Sequence, residues 1–183
     1  HSASSRLRST TAGASSESTR RIPSAPKSQP ITCSESGIRT LSSDHPAYNP
    51  FSYQTGTVWP HDNALIAGGF RRYGHDAAAA RIAKGLFDAS ERFQANRLPE
   101  LFAGLPRNEG SFPVQYLGAN VPQAWAAGSI FRLIAVLCGI HAASGRTGSR
   151  LYVNPALPDW LPELTIRNLR AGAGAAALRF HDG

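Results

Sequence analysis

Three short segments of this chain each combine an aromatic ring with a carboxylate, an amide or an imidazole. They are residues 57–63, 97–102 and 122–125. Each lies at the start of a predicted helix or in the loop that leads to one. Aromatic faces can stack on sugar rings, and a few placed polar groups can hold hydroxyls and fix the orientation of a ligand. The three segments therefore predict a carbohydrate site.

Glu100 is the carboxylate in these segments whose surroundings favour catalysis. It follows Pro99 in a long loop instead of lying on a solvated helix surface. Apolar Leu98, Leu101 and Phe102 flank it. Partial burial disfavours a charged carboxylate, so we expect a raised pKa, which suits a general base at neutral pH. The residues alone also allow a structural role, in which the carboxylate accepts backbone N–H bonds of its loop.

Trp59, His61 and Asp62 surround the start of the first predicted helix. The Trp59 ring can face a pocket or pack in the core. Asp62 is explained by the helix dipole alone, an effect of roughly 0.3–1 kcal/mol, whereas His61 is not favoured at a helix start. Gln123 and Trp125 repeat the pattern at a later helix, where core packing and ligand contact are equally open.

Other residue patterns point away from metal and cofactor chemistry. His45, His61 and His75 lack metal-ligand spacing with cysteines or carboxylates, so no zinc site is expected. Residues 145–149 contain glycine and serine but no lysine, and a phosphate-binding loop requires one. We therefore predict no metal and no cofactor.

Residues 1–35 differ in composition from the rest of the chain. They are rich in Ser, Thr, Arg and Pro and contain no aromatic ring, which is typical of a disordered segment. Five basic residues against one acidic residue in the first 32 positions give this tail +4 of the net charge of +7. The remaining basic residues are scattered, so we expect no nucleic-acid partner. A domain is predicted over residues 36–183.

Neither a membrane partner nor a disulfide framework is expected. No apolar run approaches the roughly 20 residues that span a bilayer, and Arg132 interrupts residues 130–140. Cys33 lies in the polar tail and Cys138 in an apolar helix, so reduced thiols are the default. Together these features favour a cytoplasmic protein.

Apolar spacing predicts the elements that would position the candidate residues. Three helices are predicted, at about residues 60–73, 76–96 and 123–142. Short strands follow, at residues 151–153, 164–166 and 178–180. The loop of about 25 residues before the third helix is long enough to suggest a function. The third helix is apolar nearly all round, which predicts burial on every side by helices that this chain lacks.

Several segments, taken in order, resemble bacterial glycogen-debranching-type enzymes, the amylo-α-1,6-glucosidase-like glycoside hydrolases. They are residues 37–42, 48–50, 59–63, 97–102, 122–129 and 157–161. The resemblance implies an all-α fold, an (α/α)6 toroid. This chain would hold only the C-terminal half of the toroid, with a small β element at the C-terminus and the disordered tail at the N-terminus.

By this resemblance, Glu100 matches the catalytic base that activates water in an inverting mechanism. Five further residues match positions lining the subsite for the cleaved glucose: Trp59, His61, Asp62, Gln123 and Trp125. The implied substrate is an α-glucan or oligosaccharide. The general acid of the family lies upstream, and no segment here matches it, so the isolated chain is expected to be inactive. A carbohydrate-binding or assembly module, which needs no acid, is the alternative.

The tail does not resemble the helices that the family would place there. We therefore expect a truncated or frame-disrupted gene product. A half-toroid would leave apolar helix faces uncovered, and such faces mark interaction surfaces or aggregation sites. The expected partners are the missing N-terminal half or further copies of this chain.

Overall fold

A computed structural model describes residues 33–34, 36–107, 111–145, 148–172 and 174–181. The described residues form three α-helices, a 3-10 turn and six strands paired in three antiparallel two-stranded sheets. The elements are β1 Cys33–Ser34, β2 Gly37–Ile38, α1 Pro60–Arg72, α2 Asp76–Ser90, the turn Gln94–Asn96, α3 Ala124–Cys138, β3 His141–Gly145, β4 Gly148–Tyr152, β5 Glu163–Ala171 and β6 Gly174–His181.

Helix α1 confirms the first predicted helix. Pro60 occupies its first position, where a missing N–H has no intrahelical partner to lose. Asp62 lies in the first turn and Arg71 and Arg72 in the last, which complements the helix dipole. Small side chains such as Ala64 are buried against the core.

Helix α2 is shorter than predicted. His75 is the N-cap and Asp76 the first helical residue, and the helix ends at Ser90. Asn96 does adopt a left-handed conformation, with φ of 55°, but in the separate 3-10 turn. The buried face of α2 is made of alanine, isoleucine and leucine at helical spacing, including Ile82 and Leu86.

Helix α3 corrects the expectation of burial on every side. Leu133 and Leu137 are buried, but the side chains of Trp125 and Phe131 are 64% and 73% exposed. The helix also ends earlier than predicted, because Gly139 takes a left-handed conformation at its C-cap with φ of 58°.

None of the helices in the described part of the chain is long and apolar enough to cross a membrane.

The expectation of an all-α toroid is wrong. Alongside its three helices, the described chain contains six strands, and β3 to β6 occupy most of residues 141–181. In β5 and β6, apolar residues alternate with polar ones, the period that favours a strand. Leu164 pairs with Phe180, and Ile166 with Leu178. The β element is thus much larger than expected.

The predicted tail and the first sheet overlap by two residues. Cys33 and Ser34 form β1, which pairs with Gly37 and Ile38 in β2. The rest of the predicted disordered tail, residues 1–32 and 35, lies outside the described residues.

Helices α1 and α3 run in the same direction. His61, at the start of α1, stacks on Trp125, at the start of α3, with ring centroids 4.7 Å apart. About two turns later, a Cβ placed on Gly68 would lie 3.0 Å from the Arg132 guanidinium. The N-termini of α1 and α3 therefore lie side by side.

Extended segments connected by isolated bridges position Glu100. Val58 pairs with Phe102 through two backbone hydrogen bonds of 2.9 and 3.1 Å. On either side, Arg39 bridges to Val58 and Gln115 bridges to Phe102. Val58 and Phe102 are fully buried. This ladder fixes the backbone two residues after Glu100 next to the segment that enters α1.

Large apolar side chains remain exposed on the outer faces of α1 and α3, with Leu65 at 53% and Phe131 at 73%. We expect the chain to self-associate at high concentration through these side chains. Light scattering should show a mass above the monomer that Leu65→Glu combined with Phe131→Glu reduces. Ala77→Glu, at an exposed position of α2, is the control. A clean monomer for the unchanged chain would contradict this prediction.

Gly104 lies where two extended segments meet at close range. A Cβ on Gly104 would overlap the backbone carbonyl oxygen of Gly56 and the Arg39 side chain. Gly104→Ala should therefore destabilise the fold by about 1–3 kcal/mol or more. Gly69, on the exposed face of α1, has nothing within 4 Å of the position that an added methyl group would occupy. Gly69→Ala should instead stabilise by about 0.5–1 kcal/mol, measured by urea unfolding.

Candidate functional site

The Glu100 side chain is 7% exposed, and both of its carboxylate oxygens accept hydrogen bonds. The Tyr53 hydroxyl donates to Oε1 at 2.7 Å. The backbone N–H and the side-chain amide of Asn120 donate to Oε2 at 3.1 and 2.9 Å. The Glu100 backbone N–H in turn donates to the Asn120 carbonyl at 3.1 Å. The carboxylate is therefore fixed in place and tied to the end of its own loop.

These hydrogen bonds decide the direction of the Glu100 pKa. The hydrogen bond from Tyr53 and the backbone N–H of Asn120 hold the pKa of Glu100 below its ordinary value, and they outweigh burial, which acts to raise it. The expected raised pKa is wrong. The apolar residues next to Glu100 in the sequence indicated that its carboxylate is buried. They did not indicate that Tyr53 and Asn120 donate hydrogen bonds to it.

Tyr53 stays a donor because its own pKa is shifted the other way. Its hydrogen bond to Glu100, together with burial and the nearby negative charge, raises the pKa of the Tyr53 hydroxyl. The proton thus resides on Tyr53, and the carboxylate of Glu100 carries the negative charge at neutral pH.

Two further aromatic rings contact Tyr53, the residue that donates to this carboxylate. The Tyr53 ring meets Trp59 edge to face, with centroids 4.8 Å apart, and lies 5.7 Å from the Tyr116 ring. Trp59 is fixed by its indole N–H, which donates to the Tyr53 carbonyl at 3.1 Å and to the Thr57 hydroxyl at 3.2 Å. We call Tyr53, Trp59 and Tyr116 the aromatic frame of Glu100.

A second pair of rings lies at the adjacent helix starts. The His61 imidazole stacks on the Trp125 indole with an angle of 23° between the planes. His61 Nδ1 also lies 3.2 Å from an Asp62 carboxylate oxygen. Asp62 and Trp125 are exposed, so this pair presents a flat aromatic surface and polar atoms to solvent.

Five of the six predicted site residues thus fall into two groups. The structure brings Glu100 and Trp59 together through Tyr53, and it brings His61, Asp62 and Trp125 together at the helix starts. Gln123 caps α3, its side-chain oxygen accepting the N–H of Ala126 at 3.2 Å. This contact explains the position of the glutamine without a ligand. The functional roles of all six remain predictions.

Sequence reasoning missed Tyr53, Tyr116 and Asn120 as members of this site. Tyr53 was visible only as part of an aromatic stretch. Asn120 and Tyr116 lie in the same long loop as Glu100, close to its far end. The signal that could have found Asn120 is the long loop itself. Its last residues lead into α3, which begins beside the start of α1. Because Glu100 is held next to the segment that enters α1, the end of the loop comes back to Glu100.

No group of three or more histidine, cysteine or carboxylate side chains that could hold a metal ion occurs among the described residues. We assign neither a metal nor a cofactor to the site. The chemistry available at Glu100 is that of an ionised carboxylate.

One family model matches the chain. Residues 26–104 match the mannosylglycerate hydrolase MGH1-like glycoside hydrolase domain, over less than half of the chain. None of the curated proteins compared with the chain matches it. The matched part contains Glu100, Trp59, His61 and Asp62. It supports a glycoside hydrolase with a carbohydrate substrate, but does not distinguish a debranching type.

The Glu100 hydrogen bonds make stability depend on pH. Because the folded-state pKa lies below the ordinary 4.5, the ionised side chain stabilises the fold at pH values above that figure, and this contribution is lost as pH falls through the folded-state pKa. The Glu100→Gln protein has no ionisable group at this position, so it lacks this pH-dependent stabilisation. Urea unfolding between pH 7 and 3 should show wild type losing more stability than Glu100→Gln. Parallel losses in the two proteins would contradict the assignment.

Proposed function

We propose that this chain is a glycosidase that cleaves an α-glycosidic bond by inverting hydrolysis, with Glu100 as general base. The observation that carries the proposal is the Glu100 carboxylate, fixed on both oxygens and set beside the aromatic frame of Tyr53, Trp59 and Tyr116. The glycoside hydrolase match over residues 26–104 supports the same class of reaction.

The ionised state of Glu100 suits the activation of water, the step that a general base performs. A general base must be ionised before it can take a proton from water, and the lowered pKa of Glu100 keeps it ionised at neutral pH. Inverting hydrolysis also needs a second carboxyl group as general acid, roughly 6.5–9.5 Å from the base, with room for the water between them. We assign the base only.

The rings supply the contacts that a sugar requires. Trp59 and Trp125 offer flat apolar faces, and His61 and Asp62 offer polar atoms that can hold hydroxyls. We propose an α-glucan or oligosaccharide as substrate, of the kind that debranching enzymes cleave. The matched family is named for a mannosylglycerate hydrolase, whose substrate is a mannoside, so both sugars belong in the test.

A carbohydrate-binding or assembly module is the second candidate. The observation in its favour is that Glu100 closes its own loop through Asn120, both by side chain and by backbone. Such a role needs no proton transfer. The rings would still bind sugar, and Glu100 would serve only to hold them in place.

We also propose a cytoplasmic location, on the ground that the cysteines are not expected to form a disulfide. Cys138 is a free, buried thiol in α3. Burial raises its pKa to about 11, so the thiol stays protonated and unreactive at neutral pH.

Glycosyl fluorides test the base without requiring the general acid, because fluoride leaves without being protonated. We expect the chain to release fluoride from α-glucosyl or α-mannosyl fluoride, followed with a fluoride electrode. Glu100→Gln should lower the rate by about 100-fold or more, because general acid–base catalysis typically contributes about 10²–10⁴. Glu91→Gln, the same change at an exposed position after α2, should leave the rate unchanged.

Calorimetric titration with the corresponding oligosaccharides separates the two candidates. Sugar binding by the unchanged chain without fluoride release identifies the binding module. Neither release nor binding, in a folded protein, contradicts both.

A further inference from the structure

The two oxygens of the Glu100 carboxylate are not equivalent. An ionised carboxylate has about four acceptor positions, two on each oxygen. Oε2 accepts two hydrogen bonds, both from Asn120. Oε1 accepts one, from Tyr53. Among the described residues, donors therefore fill Oε2 and leave one acceptor position on Oε1.

We infer that Oε1 is the oxygen that takes the proton from the attacking water, and that Tyr53 is a positioning residue that aims its remaining lone pair. The inference rests on the proposed function, since it specifies the atom that performs it. An oxygen that already accepts two hydrogen bonds would have to release one of them before it could take a proton. Oε1 requires no such rearrangement.

The transfer of a proton from water to Glu100 needs no other group on the face of the sugar that the water attacks. The water O–H bond breaks, its proton forms a bond to Oε1, and its electron pair remains with the oxygen that bonds to the anomeric carbon. The bond from that carbon to the leaving group breaks, and the leaving group takes the pair. Fluoride leaves as the anion, whereas a sugar oxygen takes a proton from a carboxylic acid. Tyr53 keeps its proton throughout.

The surroundings of Tyr53 explain how it can aim a lone pair. Its carbonyl accepts the Thr57 hydroxyl at 2.8 Å and the Trp59 indole N–H at 3.1 Å, and its ring, which is 40% exposed, contacts the rings of Trp59 and Tyr116. Thr57 is completely buried. These contacts restrain the backbone and the ring, and the hydroxyl points to Oε1 at 2.7 Å. The raised pKa of Tyr53 keeps its proton available for the hydrogen bond.

Three single substitutions test the inference through the rate and its pH profile with glycosyl fluoride. Tyr53→Phe removes the Oε1 donor and keeps the ring. Asn120→Ala removes one of the two Oε2 donors. Tyr73→Phe removes the hydroxyl of an exposed tyrosine at the end of α1, outside the site, and is the matched control. Among the described residues, Tyr53 is the titratable group that hydrogen-bonds Glu100, and the Tyr116 ring lies 5.7 Å from the Tyr53 ring.

We expect Tyr53→Phe to lower kcat by about 10- to 100-fold, the scale of a misplaced reacting group, with KM changed less than about twofold. The acid limb of its kcat profile should move to higher pH, because the donor that lowers the Glu100 pKa is gone. Asn120→Ala should lower kcat less, and Tyr73→Phe should match wild type. Carbon-13 titration of the Glu100 carboxyl checks the pKa change without turnover.

The possible failures are distinct. If wild type releases no fluoride, the proposed function and this inference both fall. If wild type is active but Tyr53→Phe leaves kcat and the acid limb unchanged, only this inference falls. A loss of kcat without movement of the acid limb would show a merely structural tyrosine. A larger loss in Asn120→Ala than in Tyr53→Phe would identify Oε2 as the reacting oxygen.

Discussion

The buried pairing of Val58 with Phe102 is the constraint on which the rest of the site depends. Two backbone hydrogen bonds join these residues, and both are fully buried. Val58 directly precedes Trp59, and Phe102 follows Glu100 by two positions. Backbone groups buried at this depth must be paired, so neither segment can shift without leaving polar groups unsatisfied. The pairing therefore holds the segments of Trp59 and Glu100 next to each other.

Within that constraint, hydrogen bonding and burial oppose each other at Glu100. Burial alone would favour the neutral acid, but the donors from Tyr53 and Asn120 lower the pKa. A carboxylate with a lowered pKa is ionised but is a weak base, so its basicity alone would contribute little to the rate. Its value to a hydrolysis reaction would come from placement, because an oriented reactant can contribute as much to rate as a stronger base.

Local signals in the sequence were enough to predict three helices and to single out Glu100, whose catalytic role stays a prediction, but not the contacts that set its chemistry. Pro60 predicted the start of α1, whereas the left-handed Gly139 ended α3 earlier than its apolar pattern suggested. The donors to Glu100 lie 47 and 20 positions away, beyond any local pattern. The all-α expectation came from the resemblance and overrode the strand patterns in the C-terminal residues.

The segment of residues 57–63 was the strongest signal because almost every residue in it has a separate contact. Thr57 holds the Tyr53 carbonyl, Val58 pairs with Phe102, Trp59 packs on Tyr53, Pro60 begins α1, His61 stacks on Trp125, and Asn63 binds both backbone groups of Ile38. Since Trp59 and His61 are two residues apart at one rigid helix start, the distance between the two aromatic groups is fixed. Under the proposed function, a sugar that contacted both rings would have to adopt the orientation that this helix start imposes, and its scissile bond would face Glu100 in one way.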